Sequence, residues 1–258
     1  MESKWTPVIA EDVCRWIKDY MEENASPNAP IIIGLSGGKD SAVCAALCVK
    51  AVGADRVIGI SMPDSSKPSP LDDDFTMAKD LAIDLGIRFE TFPIEVRDMY
   101  ERLSAFYGSA NNTVRCNHPA RIRMATLYAI ANQLGGRVCN TSNKSESYVG
   151  YDTAWGDQVG DFSPLQDFTA TEVIQIGEAA GLSEKYTRRT PSDGMCGQSD
   201  EERWGFTYRE LDTYLDGHEV NPEVEEKIEA KHRAAKFKLK RVILPKYNYH
   251  KNGSRDLL

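Results

Sequence analysis

Residues 36–41 carry side chains and backbone groups that suit phosphate chemistry; they read Ser-Gly-Gly-Lys-Asp-Ser. The paired glycines allow backbone amides to approach an anion without a Cβ in the way. The hydroxyls of Ser36 and Ser41 can donate hydrogen bonds to phosphate oxygens. The carboxylate of Asp40 would repel a bare phosphate, so its presence indicates a bridging Mg²⁺. The spacing therefore predicts a phosphate-binding loop that works with a divalent cation.

This loop differs from the common nucleotide-binding motifs. Its lysine is followed by Asp40 rather than by Ser or Thr, so it is not a Walker A loop, and it is not G-x-G-x-x-G either. The apolar run Ile31 to Leu35 precedes it and predicts a buried strand. A helix is expected to follow, and its N-terminal amides and dipole would favour an anion in the turn.

The elements that must position this loop alternate along the chain. Short apolar strands alternating with helices predict an α/β fold with a doubly wound, Rossmann-like parallel sheet flanked by helices. In such sheets ligands bind at the carboxyl ends of the strands. Residues 36–41 and the polar segment from Thr141 both lie at such ends, so they should face each other. We predict strands over 31–35, 56–62, 87–94 and 137–140, and helices over 7–23, 41–52, 71–85, 95–106, 118–134 and 169–181.

Composition narrows the class of protein. A formal net charge of −8 argues against a general nucleic-acid binder. The sequence contains no run of 18 or more apolar residues, so it predicts no membrane span. The N-terminus also lacks the apolar stretch of a signal peptide. The six cysteines form no C-x-x-C pair, which favours reduced and mostly buried thiols. We therefore expect a cytoplasmic protein of one domain over 1–258, without nucleic-acid or membrane partners.

The loop at 36–41 resembles the pyrophosphate-binding loop of the ATP pyrophosphatase family, whose members cleave ATP between the α and β phosphates. Four further segments, in the same order and spacing, make the chain similar to the NAD⁺ synthetases within that family. The resemblance runs from about residue 7 to about residue 246. The four segments are 121–124, 140–146, 156–161 and 190–201.

The resemblance implies a ligase that converts deamido-NAD⁺, ATP and ammonia into NAD⁺, AMP and pyrophosphate through an adenylated intermediate. It implies Mg²⁺ held by Asp40 and Glu146. It assigns Arg121, Asp157 and Asp161 to the deamido-NAD⁺ site, whereas Arg123 contacts nucleotide or only supports the fold. The residues that it assigns to ATP are Gly34, Leu35, Ser36, Gly37, Gly38, Lys39, Asp40, Ser41 and Thr141.

Three positions depart from the family pattern. Ala154 and Ala170 stand where lysines are usual, and Pro191 stands where a threonine is usual. The lost lysines would approach anionic substrate and departing phosphates, so other cations are expected to replace them. Candidates near the phosphates are Lys144, Arg188 and Arg189, and candidates at the deamido-NAD⁺ site are Lys238 and Lys240.

The nitrogen source and the assembly state follow from the same resemblance. Glutamine-using relatives carry an additional hydrolase domain, for which this chain has no room, so free ammonia is expected. A homodimer is also implied. Trp5, Trp16, Leu127, Tyr128 and Ile130 could form its interface, although a place in the monomer core explains them equally well.

Two alternative functions remain at this stage. One is another amidating or thiolating ATP pyrophosphatase, and the other is a nucleotide sensor without enzymatic activity. The net charge of −8 and the scattered cysteines speak against a tRNA-thiolating enzyme. Retention of both Asp40 and Glu146 favours an enzyme over a sensor.

Overall fold

The centre of the molecule is a parallel sheet. A computed structural model describes residues 6–66, 72–188, 200–239 and 245–249. Four strands pair in the order β3-β2-β1-β4, and β1 pairs through Ile31 with both Val57 and Arg137. The predicted parallel α/β fold is thus confirmed. The strands are β1 Ile31–Gly34, β2 Val57–Ser61, β3 Arg88–Thr91 and β4 Arg137–Val138.

Helices cover both faces of this sheet and extend beyond it. Several begin at side-chain caps of the type that the sequence favours, because a polar side chain at the N-cap accepts from a first-turn amide. Asp72 caps α3, Asn111 caps α5 and Asn143 caps α6. The helices are α1 Thr6–Asn24, α2 Lys39–Val52, α3 Asp73–Leu85, α4 Arg97–Tyr107, α5 Asn112–Leu134, α6 Lys144–Val149, α7 Ala170–Ala179, α8 Glu184–Thr187, α9 Asp200–Trp204, α10 Tyr208–Leu215 and α11 Pro222–Leu239.

The core is divided by the sheet. Ile31 and Ile33 belong to a cluster with α1, α2 and α7, whereas Ile32 belongs to a second cluster with Met124 and Leu127 of α5. This is the two-residue alternation of a strand buried on both faces. A third cluster joins α6, α10 and α11. Among the described helices, none has both the length and the apolar composition that a membrane span requires.

The predicted boundaries needed two corrections. Helix α2 begins at Lys39 rather than residue 41, so Lys39 and Asp40 lie in its first turn. Helix α5 begins at Asn112 rather than residue 118, because the Asn111 side chain accepts from Val114 N and starts the helix earlier. Pro119 lies inside that helix. Helices α6, α8, α10 and α11 were not predicted, since their segments read as polar stretches.

Apart from Trp5, the aromatic and aliphatic residues considered for an interface are buried or half-buried. The indole of Trp16 packs edge-on against Phe162 and Tyr247, and Leu127 is buried in the second cluster. Tyr128 and Ile130 are partly buried against the same cluster. Trp5 lies outside the described residues. The monomer-core interpretation is therefore favoured for Trp16 and Leu127.

Candidate active site

The phosphate loop, residues 34–41, turns sharply between β1 and α2. Gly37 has a φ of +81°, and a Cβ there would lie 2.3 Å from the backbone oxygen of Asp74. Only glycine fits such a position without strain. Gly38 is the N-cap of α2 and has no side chain to bond the first-turn amides. These amides therefore point out of the helix as donors for an anion.

The two serines close the loop on itself. Ser36 Oγ accepts from Gly38 N at 3.2 Å, and Ser41 Oγ donates to Gly38 O at 3.0 Å. The two hydroxyl oxygens are 3.3 Å apart. Both side chains thus lie on the same side of the turn, where their hydroxyls can reorient toward one phosphate group.

Lys39 and Asp40 form an ion pair at the start of α2. Lys39 Nζ donates to Asp40 Oδ2 at 2.9 Å, and Asn143 Nδ2 donates to Asp40 Oδ1 at 2.9 Å. Lys39 is only 7% exposed. Burial lowers the pKa of Lys39, but the carboxylates of Asp40 and Glu146 outweigh it and hold the pKa above its ordinary value. The lysine is therefore a buried, permanently charged group.

Glu146 lies near Asp40 and comes from α6, which follows β4, the strand next to β1. It lies in the first turn of α6, and Asn143 Oδ1 accepts from its backbone N at 3.0 Å. Asn143 thus bonds both Asp40 and α6, which ties the two strand ends together. Burial and the neighbouring Asp40 carboxylate raise the pKa of Glu146 to about 8. Two acids crowded in this way favour a cation between them.

The residues present fit a hard divalent cation whose coordination is completed by ligands from outside the protein. Within the described ranges, no three His, Cys, Asp or Glu side chains converge as a ready-made metal site. Asp40 and Glu146 would supply two carboxylates, and Mg²⁺ ordinarily completes its shell with phosphate oxygens and water. Two carboxylates therefore fit an open cation site, completed by other ligands, better than a closed structural metal site.

Residues 150–161, here called the acceptor loop, form a wall beside the start of α6, where Ser142 Oγ donates to Asp157 O at 3.0 Å. Arg121 Nε donates to Ala154 O at 3.1 Å, and Lys238 Nζ donates to Gly150 O at 2.8 Å. The carboxylate of Asp157 accepts from Thr153 N, and that of Asp161 accepts from Val138 N, both at 2.7 Å. The structure thus brings Arg121, Asp157, Asp161 and Lys238 to one loop, where each shapes the wall.

Comparison with known proteins identifies the family. The family model "NAD synthase" matches residues 9–253. The chain belongs to the NAD synthase family. It is 37% identical over 209 residues to the NH(3)-dependent NAD(+) synthetase of Finegoldia magna, covering 80% of this chain and 83% of the relative. It is 38% identical over 226 residues to that of Methanocaldococcus jannaschii, covering 84% and 83%.

Solved structures agree on the fold. The NMN synthetase of Francisella tularensis has a TM-score of 0.80 and 32% sequence identity, covering 92% of this chain and 97% of that chain. An NH3-dependent NAD synthetase from Campylobacter jejuni has a TM-score of 0.72 at 24% identity, covering 94% and 99%. The second likeness shows the fold alone.

The other residues predicted for the site differ in their burial and in their contacts. Arg123 Nε donates to Met62 O at 3.0 Å, on a different loop from the partner of Arg121. Arg188 pairs with Glu178 and Glu184 in an exposed position. Lys144 is buried at the start of α6, and Thr141 is half-buried after β4. Arg189, Pro191 and Lys240 lie outside the described residues.

Sequence reasoning missed the contribution of α9 and α10 to the site. Tyr208 Oη lies 3.0 Å from Asp200 Oδ2 and 3.4 Å from Glu146 Oε1, and Lys39 Nζ lies 5.3 Å from the centre of its ring. Asp212 accepts from Ser145 Oγ and Thr171 N, which fixes α6 against α7. The signal available in the sequence was one tyrosine and two acids, Tyr208, Asp200 and Asp212, in a polar C-terminal stretch.

Proposed function

We propose that this chain amidates the nicotinate carboxylate of deamido-NAD⁺ with ammonia and couples the reaction to cleavage of ATP into AMP and pyrophosphate. The observation that carries the proposal is the meeting of the phosphate loop with Glu146 at neighbouring strand ends, linked through Asn143. Membership of the NAD synthase family supports it. So do the names of the relatives, which are NH(3)-dependent NAD(+) synthetases.

The chemistry explains why such a site is needed. A carboxylate is a poor acyl donor because it is negatively charged and has no good leaving group. Its oxygen attacks the α-phosphorus of ATP, pyrophosphate leaves, and a mixed anhydride with AMP forms. Ammonia then attacks the acyl carbon and AMP departs. The amides of α2, the hydroxyls of Ser36 and Ser41, and charged Lys39 would stabilise the negative charge that develops on the phosphates.

We infer a bound Mg²⁺ at Asp40 and Glu146. Such an ion would supply positive charge that neutralises the leaving pyrophosphate. Asp40 is held for this by Asn143, and Glu146 by the N-terminal turn of α6. In the described structure Lys39 also contacts Asp40 Oδ2, so the lysine and the cation would share this carboxylate.

The acceptor loop is proposed as the deamido-NAD⁺ site. Arg121 and Lys238 bring positive charge to this loop. Lys238 Nζ donates to the backbone oxygens of Gly150 and Asp152. The ammonium group of Lys238 therefore contacts residues that lie two and four positions before Ala154 in the sequence, and Ala154 stands where the family lysine is missing. Lys238 is thus our candidate for its replacement, ahead of Arg188, which is engaged in exposed ion pairs.

Free ammonia is the proposed nitrogen source. A glutaminase needs a reactive thiolate, and burial gives a thiol the opposite character. Burial raises the pKa of Cys14 to about 11, and it raises those of Cys44 and Cys139 as well. A hydrogen bond with Cys139 and burial raise that of Cys48. The rate should rise with pH as ammonium loses its proton.

The assembly state, the compartment and the extent of the domain are part of the same proposal. We propose a homodimer that works in the cytoplasm, with residues 1–258 acting as one catalytic domain. The free thiols of Cys44, Cys48 and Cys139 fit a reducing compartment. Light scattering of the purified protein across a concentration series tests the dimer.

A second acceptor is favoured by one specific observation. The Francisella tularensis structure, at a TM-score of 0.80 and 32% identity, is an NMN synthetase. An enzyme of that kind would amidate nicotinate mononucleotide, which presents the same carboxylate without the adenylate half. The chemistry at the phosphate loop would be unchanged, and only the acceptor would differ.

One assay distinguishes these outcomes. The protein is incubated with ATP, Mg²⁺ and ammonium, together with either deamido-NAD⁺ or nicotinate mononucleotide, and AMP, pyrophosphate and the amide product are measured. We expect AMP and NAD⁺ in equal amounts with deamido-NAD⁺. A higher kcat/KM with the mononucleotide would establish the second acceptor. Release of ADP and orthophosphate, or no turnover with either acceptor, would refute the proposal.

A further inference from the structure

Tyr208 connects the predicted metal-binding acids to the C-terminal helices. Its hydroxyl oxygen lies 3.4 Å from Glu146 Oε1 and 3.0 Å from Asp200 Oδ2. Glu146 belongs to α6, whereas Tyr208 begins α10 and Asp200 begins α9. One hydroxyl therefore reaches two carboxylates that come from widely separated parts of the sequence.

Asp200 is a buried acid with one carboxylate oxygen that lacks a hydrogen-bond partner. It is only 5% exposed, and its Oδ1 has no hydrogen-bond partner. Leaving a buried charged group partly unsatisfied is costly. Lys39 lies over the ring of the same tyrosine and pairs with Asp40. The carboxylates of Asp40 and Asp200 both lie close enough to Glu146 to raise its pKa. This crowding of acids favours a divalent cation next to Glu146.

Tyr208 is held rigidly before any ligand arrives. Its backbone N donates to Glu201 Oε1 at 2.9 Å, and Thr207 and Glu210 form a capping box around the start of α10. Its ring packs against Trp204, with centroids 4.9 Å apart. The hydroxyl therefore stays at one place relative to α6, as a group that orients a metal-binding carboxylate must.

We propose that Tyr208 and Asp200 are positioning residues for Glu146: the Tyr208 hydroxyl shares its one proton between the carboxylates of Glu146 and Asp200 and so orients the Glu146 carboxylate toward the divalent cation, while Asp200 anchors the hydroxyl. Neither residue needs to touch substrate. The inference rests on the cation in the proposed function, but not on which acceptor is amidated.

The test is direct binding of Mn²⁺ as a probe for Mg²⁺, followed by electron paramagnetic resonance, with and without the α,β-methylene analogue of ATP. Tyr208→Phe removes the hydroxyl and keeps the ring under Lys39. We expect Mn²⁺ binding to weaken about tenfold, the lower end of the effect of partners that orient metal ligands. KM for the acceptor should change little.

Tyr214→Phe is the matched control. Tyr214 lies on the same helix, is 3% exposed, and its hydroxyl also bonds a carboxylate, that of Glu229. It should leave Mn²⁺ binding unchanged. Asp200→Asn provides a second variant that keeps the side-chain shape, and we expect it to weaken Mn²⁺ binding by several-fold.

The outcomes separate this inference from the proposed function. Unchanged or tighter Mn²⁺ binding in Tyr208→Phe and Asp200→Asn would overturn the inference, as would an equal loss in Tyr214→Phe or a wild-type protein that binds no Mn²⁺. Suppose that the wild type binds Mn²⁺ and that Tyr208→Phe and Asp200→Asn bind it more weakly, but that the wild type makes neither AMP nor amide product. That result would refute the proposed function and leave this inference standing.

Discussion

The phosphate loop and the acceptor loop are built from contacts of different range. In the phosphate loop, Ser36 bonds Gly38 and Ser41 bonds Gly38, so its shape comes from neighbours within five residues. The acceptor loop instead depends on Asn117 and Arg121 of α5 and on Lys238 of α11. The first loop can be recognised from a short sequence, whereas the second exists only when distant helices have packed.

The two loops also differ in how well their polar groups are satisfied. In the acceptor loop, both carboxylate oxygens of Asp152 and Oε1 of Gln158 are buried without a hydrogen-bond partner, although Asp152 Oδ1 lies 3.7 Å from Lys238 Nζ. Trp155 is exposed and has a φ of 65°, a strained value for a bulky residue. Strain and unpaired groups cluster at functional sites. We therefore expect the acceptor loop to rearrange more than the phosphate loop when ligands bind.

The largest expected effect concerns the acids at the phosphate end. Asp40→Asn and Glu146→Gln should each lower the rate of AMP formation by about 10²–10³-fold, because each removes a proposed ligand of the cation that would neutralise the leaving pyrophosphate. Asp157→Asn, which keeps an acceptor for Thr153 N, should instead raise KM for the acceptor. Equal effects of Asp157→Asn on KM for ATP and for the acceptor would show that the two loops are not separate subsites.

Substitutions at one glycine in each loop test how far the phosphate loop and the acceptor loop tolerate a side chain. A Cβ at Gly37 would lie 2.3 Å from Asp74 O, and one at Gly150 would lie 2.4 Å from Ala235 Cβ. We expect Gly37→Ala and Gly150→Ala to lower the free energy of unfolding by about 2–4 kcal/mol, from a positive φ plus overpacking. Only Gly37→Ala should also weaken ATP binding by more than the smaller folded fraction explains.

Gly181→Ala is the control for the backbone term, because Gly181 has a φ of +87° and a Cβ there meets nothing within 4 Å. It should cost about 1 kcal/mol. Urea unfolding with a parallel ATP titration measures both quantities. Weaker ATP binding in Gly150→Ala than in Gly37→Ala would reverse the assignment of the loops.

The buried carboxyl of Asp152 predicts a pH dependence at the acceptor end. Burial and the nearby Asp157 raise the pKa of Asp152 to about 7. An acid that holds its proton more tightly when folded opposes folding more strongly as pH rises from about 4 to about 7. Asp152→Asn should therefore flatten the fall in stability between pH 5 and pH 8 by about 2 kcal/mol.

Thermal unfolding at several pH values measures this effect. Asp12→Asn, which removes an exposed carboxylate paired with Arg15, is the matched control and should leave the slope unchanged. A slope as steep in Asp152→Asn as in the wild type would show that Asp152 is ionised throughout, with Lys238 as its counter-ion.

The smallest expected effect comes from Asp161, which joins the acceptor loop to β4. Asp161→Ala leaves Val138 N without its acceptor and should cost about 1–2 kcal/mol of unfolding free energy. Asp161→Asn keeps an acceptor oxygen and should cost less. A larger loss of acceptor affinity than of stability in Asp161→Asn would mean that the carboxylate binds substrate directly.

The sequence predicted the sheet and its phosphate end well. The strands fall within the expected ranges because Ile31 to Gly34 and Val57 to Ser61 are apolar runs bounded by turns. It placed the start of α5 too late, since the Asn111 cap looked like part of a loop. It missed α10, whose Tyr208 reaches Glu146 from 62 residues away.

By itself, the sequence determined the parallel α/β architecture, the phosphate loop and the two acids at the strand ends. These depend on local patterns, on a glycine that permits a positive φ and on the rule that parallel strands end at one edge. Only the tertiary structure decided that Asn143 bonds Asp40, that Lys238 reaches the acceptor loop and that Tyr208 stands between Glu146 and Asp200. Such contacts depend on how helices pack in three dimensions, and no short-range pattern in the chain encodes that packing.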